Sequence, residues 1–375
     1  MDKKTYLDYN ATAPTRPEVV RAVCEGLQAP HNASSVHSFG REGRKMVERA
    51  REQVAALIGT PANQVIFNSG ATEGNNTVLH HFKDERILVS AIEHPSVLKA
   101  LENIETIPVH KNGTLDLDAL ETALKEKPTA LVSLMLVNNE TGVIQPVAEA
   151  GALAHKYGSL FHCDAVQAAG RIPINMAILG IDFLTLSAHK IGGPQGVGAL
   201  ALGICGITPT LLHGGGQEKQ ARAGTENVAG ITGFGLAAEL AKNELSSYTA
   251  KYSALQSPLE NALCKINNLK IHGQNTSRIA NTTLLSLPGA SSETLLIALD
   301  LEGIAVSNGS ACSSGRVQPS HVLKAMGASD EETTSAIRIS TGWNTTQNDI
   351  DRFIKVWQNI TDRLKASPRR RGSNA

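Results

Sequence analysis

Short apolar runs that alternate with helix-length segments constrain this chain more than any other feature of its sequence. Val65-Ile66-Phe67, Ile87-Leu88-Val89, residues 130–137, Leu160-Phe161-His162 and Phe183-Leu184-Thr185-Leu186 recur with helix-like stretches between them. Strands that read as near-continuous apolar runs are buried on both faces, and connections long enough to hold a helix join parallel neighbours. The pattern predicts an α/β fold with a mostly parallel sheet covered by helices on both sides. In such sheets ligands collect beyond the carboxyl ends of the strands, so the residues after each run carry the functional reading.

Around this centre the pattern predicts a short strand near residues 5–9 and helices over 18–57, interrupted by a polar turn at 31–35. A glycine-rich loop is expected at 213–224 and a helix over 228–269. The last hundred residues read as a second α/β unit, with strands near 282–287 and 336–340 and a terminal helix near 347–365. A chain of 375 residues with 41% hydrophobic content can bury more than one core. The expected division is a large domain of 16–250, a small domain made of 1–15 and 251–366, and a tail, 367–375, too polar to pack.

Charge excludes several functions. Lys plus Arg at 35 balances Asp plus Glu at 35, which gives no general electrostatic attraction to nucleic acid or to a membrane surface. No apolar stretch approaches the roughly 20 residues that span a bilayer, and the N-terminus lacks a signal-peptide pattern, so a cytoplasmic protein is expected. The five cysteines are odd in number and form no Cys-x-x-Cys pair, which points to neither a disulfide framework nor a zinc site. Cys24, Cys163, Cys205 and Cys264 read as small buried apolar residues. Cys312 differs, because Ser307-Asn308-Gly309-Ser310-Ala311-Cys312-Ser313-Ser314-Gly315 surrounds it with small polar residues, the setting of a reachable thiol as well as of an inert surface one.

Several strand ends carry groups that can do chemistry. Lys190, after an apolar run and before Gly192-Gly193, suits a Schiff-base lysine that sheds its proton in a partly desolvated pocket, although a solvated lysine beside a turn fits too. Asp164 ends another run, where a carboxylate pairs with a cation such as a protonated pyridine nitrogen or caps the next helix. Asn68 to Asn76 opens a helix whose free N–H groups suit a phosphate, with capping by Ser69 or Thr72 as the competing reading. The segment matches neither the Walker nor the Gly-x-Gly-x-x-Gly pattern, which disfavours nucleoside triphosphates and dinucleotides. His94 and Asn139 supply an imidazole and an amide near strand ends. Arg338 interrupts a strand-like alternation with a fork-shaped cation suited either to a carboxylate or to a surface salt bridge.

In order along the chain, Gly-Ala-Thr-Glu (70–73), Glu-His (93–94), Asn-Asn-Glu-Thr-Gly (138–142), Asp-Ala-x-Gln (164–167), Ser-x-His-Lys (187–190), Gly-Gly-Gly-Gln-Glu (214–218), Arg-x-Gly-Thr-x-Asn (222–227), Ser-Ala-Cys-Ser-Ser (310–314) and Ile-Arg-x-Ser (337–340) resemble the cysteine desulfurase family. These are pyridoxal 5'-phosphate enzymes of fold type I, grouped with the class V aminotransferases. The resemblance implies a fold type I large domain with a smaller α/β C-terminal domain, and conversion of L-cysteine to L-alanine with a persulfide left on Cys312. It implies that Lys190 binds the cofactor covalently and moves the α-proton, that Asp164 pairs with the ring nitrogen, and that His94 stacks on the ring. Gln167 and Asn139 would bond the ring hydroxyl and the substrate side. Ala71, Thr72, Ser187 and His189 would hold the phosphate, with Thr225 reaching it from the other subunit of a homodimer. Arg338 would clamp the substrate carboxylate, with Asn10 and Ala11 close by. No resident metal is implied, although Cys312 could ligate an iron–sulfur cluster in transfer, and the persulfide would pass to a sulfur acceptor or iron–sulfur scaffold protein.

The chain departs from the family pattern at residues 31–37, where Gly-Asn-Pro-Ser-Ser is commoner, and at Asn308, where serine is frequent. The longer C-terminal extension of housekeeping members is not matched, and the length of 307–327 resembles the group with a long cysteine loop, which favours direct sulfur delivery. A selenocysteine lyase, an aminotransferase of the same fold and a catalytically idle scaffold are the competing expectations.

Overall fold

The computed structural model describes residues 4–309 and 318–366, with side chains to residue 364. Cys312 and the arginine-rich tail lie outside the described residues. Strand β1 (Thr5–Tyr6) opens the chain. The principal sheet holds β2 (Val65–Asn68), β3 (Ile87–Ser90), β4 (Glu105–Ile107), β5 (Leu131–Ser133), β6 (Leu160–Asp164), β7 (Phe183–Ser187) and β8 (Gly198–Leu202) in the order β2-β8-β7-β6-β5-β3-β4. Strand β8 runs antiparallel to both neighbours, β7 and β2, and the other six share one direction. This is the mostly parallel sheet expected from the sequence. Its strands β3, β5, β7 and β8 are buried at every residue, as strands covered on both faces must be.

The shared direction sets the site. Asn68, Ser90, Ser133, Asp164 and Ser187 end their strands at one edge of the sheet. At that edge Gly198 pairs with both Asn68 and Ser187. A Cβ on Gly198 would lie 2.6 Å from the Gly70 Cα, so glycine there allows the turn after β2 to fold down onto β8.

A second sheet is antiparallel, with β9 (Lys270–His272), β10 (Thr282–Ser286) and β12 (Ala336–Ser340) in the order β12-β10-β9. Strand β11 (Ile304–Ala305) pairs in parallel with β1, which ties the first residues of the chain to its last third. The described residues form four apolar clusters, among them a large one around the principal sheet and a separate one that joins Leu7, Leu285, Ile337, Phe353 and Trp357. The helix Val228–Leu263 contributes Phe234 and Ala238 to the first core and Tyr252 and Leu259 to the second.

Three expectations change. The long helix ends at Leu263 rather than near 269, and Asn268 takes a left-handed conformation (φ 65°) in the turns beyond it. The run 130–137 forms a strand only over Leu131–Ser133, although Leu134 and Leu136 still donate their N–H groups to the carbonyls of His162 and Asp164 in β6. Cys24 and Cys264 are exposed rather than buried, whereas Cys163 is buried and Cys205 lies between. Cys24 sits on the helix Pro17–Leu27, whose buried positions are Val19 and Gly26, and Cys264 caps the end of the long helix. The face of the helix rather than residue type decided their burial.

Candidate active site

A cavity of about 740 Å³ opens at the carboxyl edge of the principal sheet. Its walls hold Ala71, Thr72, His94, Asn139, Asp164, Gln167, Ser187, His189, Lys190, Arg338, Asn10 and Ala11, residues drawn from both halves of the chain. Asn10 and Ala11 come after β1 and Arg338 lies in β12, so the segment after β1 and the antiparallel sheet both reach the cavity at the strand ends of the principal sheet.

Lys190 ends the one-turn 3-10 helix Ala188–Lys190 that succeeds β7. Its Nζ donates to the backbone carbonyls of Asn10 and Ala11, each at 2.6 Å. Burial, with the nearby charges of Arg338 and Arg171, lowers the amine from its ordinary range to about 7. A lysine in this setting is half-buried and readily neutral, not the solvated residue that its turn allowed.

Asp164 is buried, and its carboxylate is held in two ways. Oδ1 accepts the Val166 N–H at 3.0 Å, a local turn of the capping kind, and Oδ2 accepts the Asn75 side-chain amide at 2.9 Å. Among the described residues no lysine or arginine forms an ion pair with it. Asn75 also donates to Ser96 Oγ at 2.9 Å, and Ser96 Oγ lies 2.8 Å from His94 Nδ1. Since His94 Nδ1 also accepts the Ser96 backbone N–H, the neutral ring carries its proton on Nε2. Burial lowers the His94 basicity, partly offset by Asp164.

At the other end of the cavity, Gly70 caps the helix Ala71–His81 without a side-chain bond. The capping reading for Ser69 is overturned, since its hydroxyl donates to Glu73, which is itself paired with Arg222. The helix start, Gly70 to Glu73, lines the cavity beside Ser187 and His189. A Cβ at Gly70 (φ 151°) would meet nothing within 4 Å, so an open cradle lies at the positive end of a helix dipole. His189 is lowered to about 4 by burial and by the Lys190 charge, and its Nδ1 lies 3.1 Å from Thr12 Oγ1.

Arg338 is 3% exposed and bonds the Asn139 carbonyl at 3.0 Å and Asp8 Oδ1 at 2.7 Å, so it is not a surface ion pair. Gln167 donates to the Asn10 carbonyl at 3.0 Å and accepts from Arg171 at 2.6 Å. Asn139 Oδ1 is buried with no bonding partner among the described residues. Thr225 is exposed and does not line the cavity of this chain.

The residues fit pyridoxal 5'-phosphate on three counts: a buried carboxylate that lacks a cation, an uncapped helix start suited to a phosphate, and a lysine amine shifted toward neutrality between them. Sequence reasoning missed Asn75, Ser96, Arg171 and Asp8. Asn75 sits one helical turn after Ala71, and Arg171 four residues after Gln167, so spacing was a usable signal for both.

The Aminotransferase class-V family model matches residues 5–353. A protein of Trichormus azollae named cysteine desulfurase is 43% identical over 375 residues, 96% of this chain and 94% of the relative. Cysteine desulfurase IscS of Dictyoglomus turgidum is 40% identical over 380 residues, 97% and 96% of the two chains. The crystal structure of a NifS-like protein from Rickettsia africae superposes with a TM-score of 0.90 at 41% identity, covering 96% of this chain and all of that one.

Proposed function

This chain belongs to the class-V aminotransferase family, whose members use pyridoxal 5'-phosphate, and on that footing we propose that it is a cysteine desulfurase. It converts L-cysteine to L-alanine and leaves the sulfur on Cys312 as a persulfide. The observation that carries the site assignment is the placement of Lys190, Asp164, His94 and Arg338 around one cavity. The division into a large domain, 16–250, and a small one of 1–15 and 251–366 belongs to the same reading, and the separate apolar clusters around the principal sheet and around Phe353 and Trp357 support it.

The cofactor, when bound, supplies an electron sink that stabilises negative charge at the substrate α-carbon. Lys190 would hold it covalently, and its amine, lowered to about 7 by burial and nearby cations, would move the substrate α-proton at Nζ. Asp164 is the counter-ion that keeps a proton on the ring nitrogen, and Asn75 fixes its orientation. His94 would cover the ring, and Gln167 and Asn139 would bond its hydroxyl and the substrate side. The N–H groups of Ala71 and Thr72, with the side chains of Thr72, Ser187 and His189, hold the phosphate, completed by Thr225 of a second copy in a homodimer. Arg338 binds the substrate carboxylate beside Asn10 and Ala11. The Cys312 thiol, deprotonated, attacks the substrate sulfur, so that one S–S bond forms, the C–S bond breaks, and the carbon skeleton takes up protons and leaves as L-alanine.

The persulfide then passes to a sulfur acceptor, such as an iron–sulfur scaffold protein, in the cytoplasm. No helix among the described residues is long and apolar enough to cross a membrane. The test is stoichiometric release of alanine and sulfide from L-cysteine by the purified, cofactor-loaded protein with a thiol reductant present. Pyruvate or a keto acid in place of alanine would sink the reading.

A further inference from the structure

We propose that Asp8 and Arg338 together recognise the zwitterion of an α-amino acid, Asp8 taking the ammonium while Arg338 takes the carboxylate. This deepens the reading of the cavity as an amino-acid site and rests on it.

Both residues line the cavity, and Arg338 Nη2 stands 2.7 Å from Asp8 Oδ1. The guanidinium is almost fully buried and the carboxylate is still partly open, with side-chain exposures of 4% and 18%. The backbone fixes the pair. Asp8 bridges in parallel to Ser340, Ser340 donates its N–H to Leu7, and Arg338 pairs across an antiparallel bridge with Ser307. Arg338 Nη1 is held by the Asn139 carbonyl at 3.0 Å, and its Nε has no bonding partner among the described residues.

An arginine that served only to attract a carboxylate would gain nothing from a carboxylate of its own chain, since an incoming anion must compete with it. The pair is electrically neutral before anything binds, and a lone carboxylate that joined it would place two anions on one guanidinium. An α-amino acid carries the complementary pair, and its α-amino group is largely protonated at neutral pH. It brings a cation to Asp8 in the same step as it brings an anion to Arg338, so both charges stay paired on leaving water. A site built this way favours amine-bearing ligands and rejects carboxylic acids that lack the amine. Asp8 also belongs to the segment that meets the reactive amine, because Asn10 and Ala11, the next cavity residues along it, are the ones whose carbonyls hold Lys190 Nζ. The amino group of the ligand is thus brought to the side of the cavity that holds Lys190.

L-Alanine and propanoate differ by the amine alone, and neither is desulfurated. Their binding to the cofactor-loaded protein, read by calorimetry, is therefore independent of whether L-cysteine yields alanine and sulfide. In Asp8→Asn, L-alanine is expected to bind about tenfold more weakly while propanoate binds more tightly, because the competing anion has gone. Opposite shifts support the proposal. Parallel weakening of both ligands would mean that Asp8 merely props Arg338, and unchanged L-alanine affinity would mean that it does not meet the ammonium; either result overturns the proposal. Asp8→Glu, which keeps the charge, is expected to retain the preference for L-alanine, and its loss there would count equally against the proposal. Asp8→Ser enters the same comparison should the asparagine variant not fold.

Discussion

Lys190 Nζ lies 2.6 Å from the carbonyl oxygen of Asn10, a contact between residues 180 positions apart. It joins the carboxyl edge of the principal sheet to the segment just beyond β1. The lysine is thereby held half-buried, with Arg338 and Arg171 near enough to lower its basicity.

The first consequence is a pH dependence. Lys190 reacts with the cofactor as the neutral amine, and its basicity is lowered to about 7. The neutral fraction therefore grows as pH rises through about 7 and levels off above it. The rate at which apoprotein gains the visible absorbance of bound pyridoxal 5'-phosphate should rise up to about pH 7 to 8 and then flatten. A rate still climbing tenfold per pH unit at pH 9 would refute the shifted amine. Lys190→Ala is expected to abolish both covalent retention of the cofactor and turnover.

Asp164→Asn keeps the shape and the bond from Val166 but removes the charge. A hydrogen bond to a charged partner contributes about 1.5–3 kcal/mol, so affinity for the cofactor should fall by roughly 10- to 150-fold. Asn75→Ala, which leaves the charge and removes only its support, is expected to lose less. Equilibrium titration of each apoprotein with pyridoxal 5'-phosphate measures both, and the order of the two effects is the test.

Cys312→Ala should retain the visible absorbance and lose release of alanine and sulfide. An unchanged rate would remove Cys312 from the reaction.

A fourth prediction concerns stability. Glu218 is buried and takes two bonds from Arg51, at 2.6 and 2.9 Å, and one from the Phe67 N–H. It does so although Glu218, Lys219 and Gln220 all have positive φ, at 45°, 57° and 70°, a conformation that costs roughly 1–2 kcal/mol for each such residue. Arg51→Ala leaves a buried carboxylate without its cation and should destabilise the protein by about 3–5 kcal/mol. Urea unfolding followed by circular dichroism measures this. A loss below about 1 kcal/mol would show that the loop before Thr225 is held by something else.

Much of the site was legible because its groups announce themselves locally. Lys190 before two glycines, Asp164 at the end of an apolar run and the helix start after Gly70 each belong to a short segment whose strand or helix is set by neighbouring residues. Arg338 was legible as a charge in a strand, but its partner was not. Asp8 lies 330 residues away, and only the pairing of β1 with β11 and the Asp8 bridge to Ser340 bring it there. Cys24 and Cys264 were misread for a related reason, since burial belongs to the face of an element and not to the residue.

By itself the chain's order of residues determined five strands of the principal sheet, that this sheet is mostly parallel, and therefore at which edge the chemical groups gather, because apolar periodicity and turn chemistry act over a few residues. Tertiary structure alone decided which groups meet: the network from Asp164 through Asn75 and Ser96 to His94, the closure of residues 8–11 over Lys190, and the burial that lowers its basicity. Desolvation and charge pairing depend on separation in space, and contacts across hundreds of residues leave no local periodicity to read.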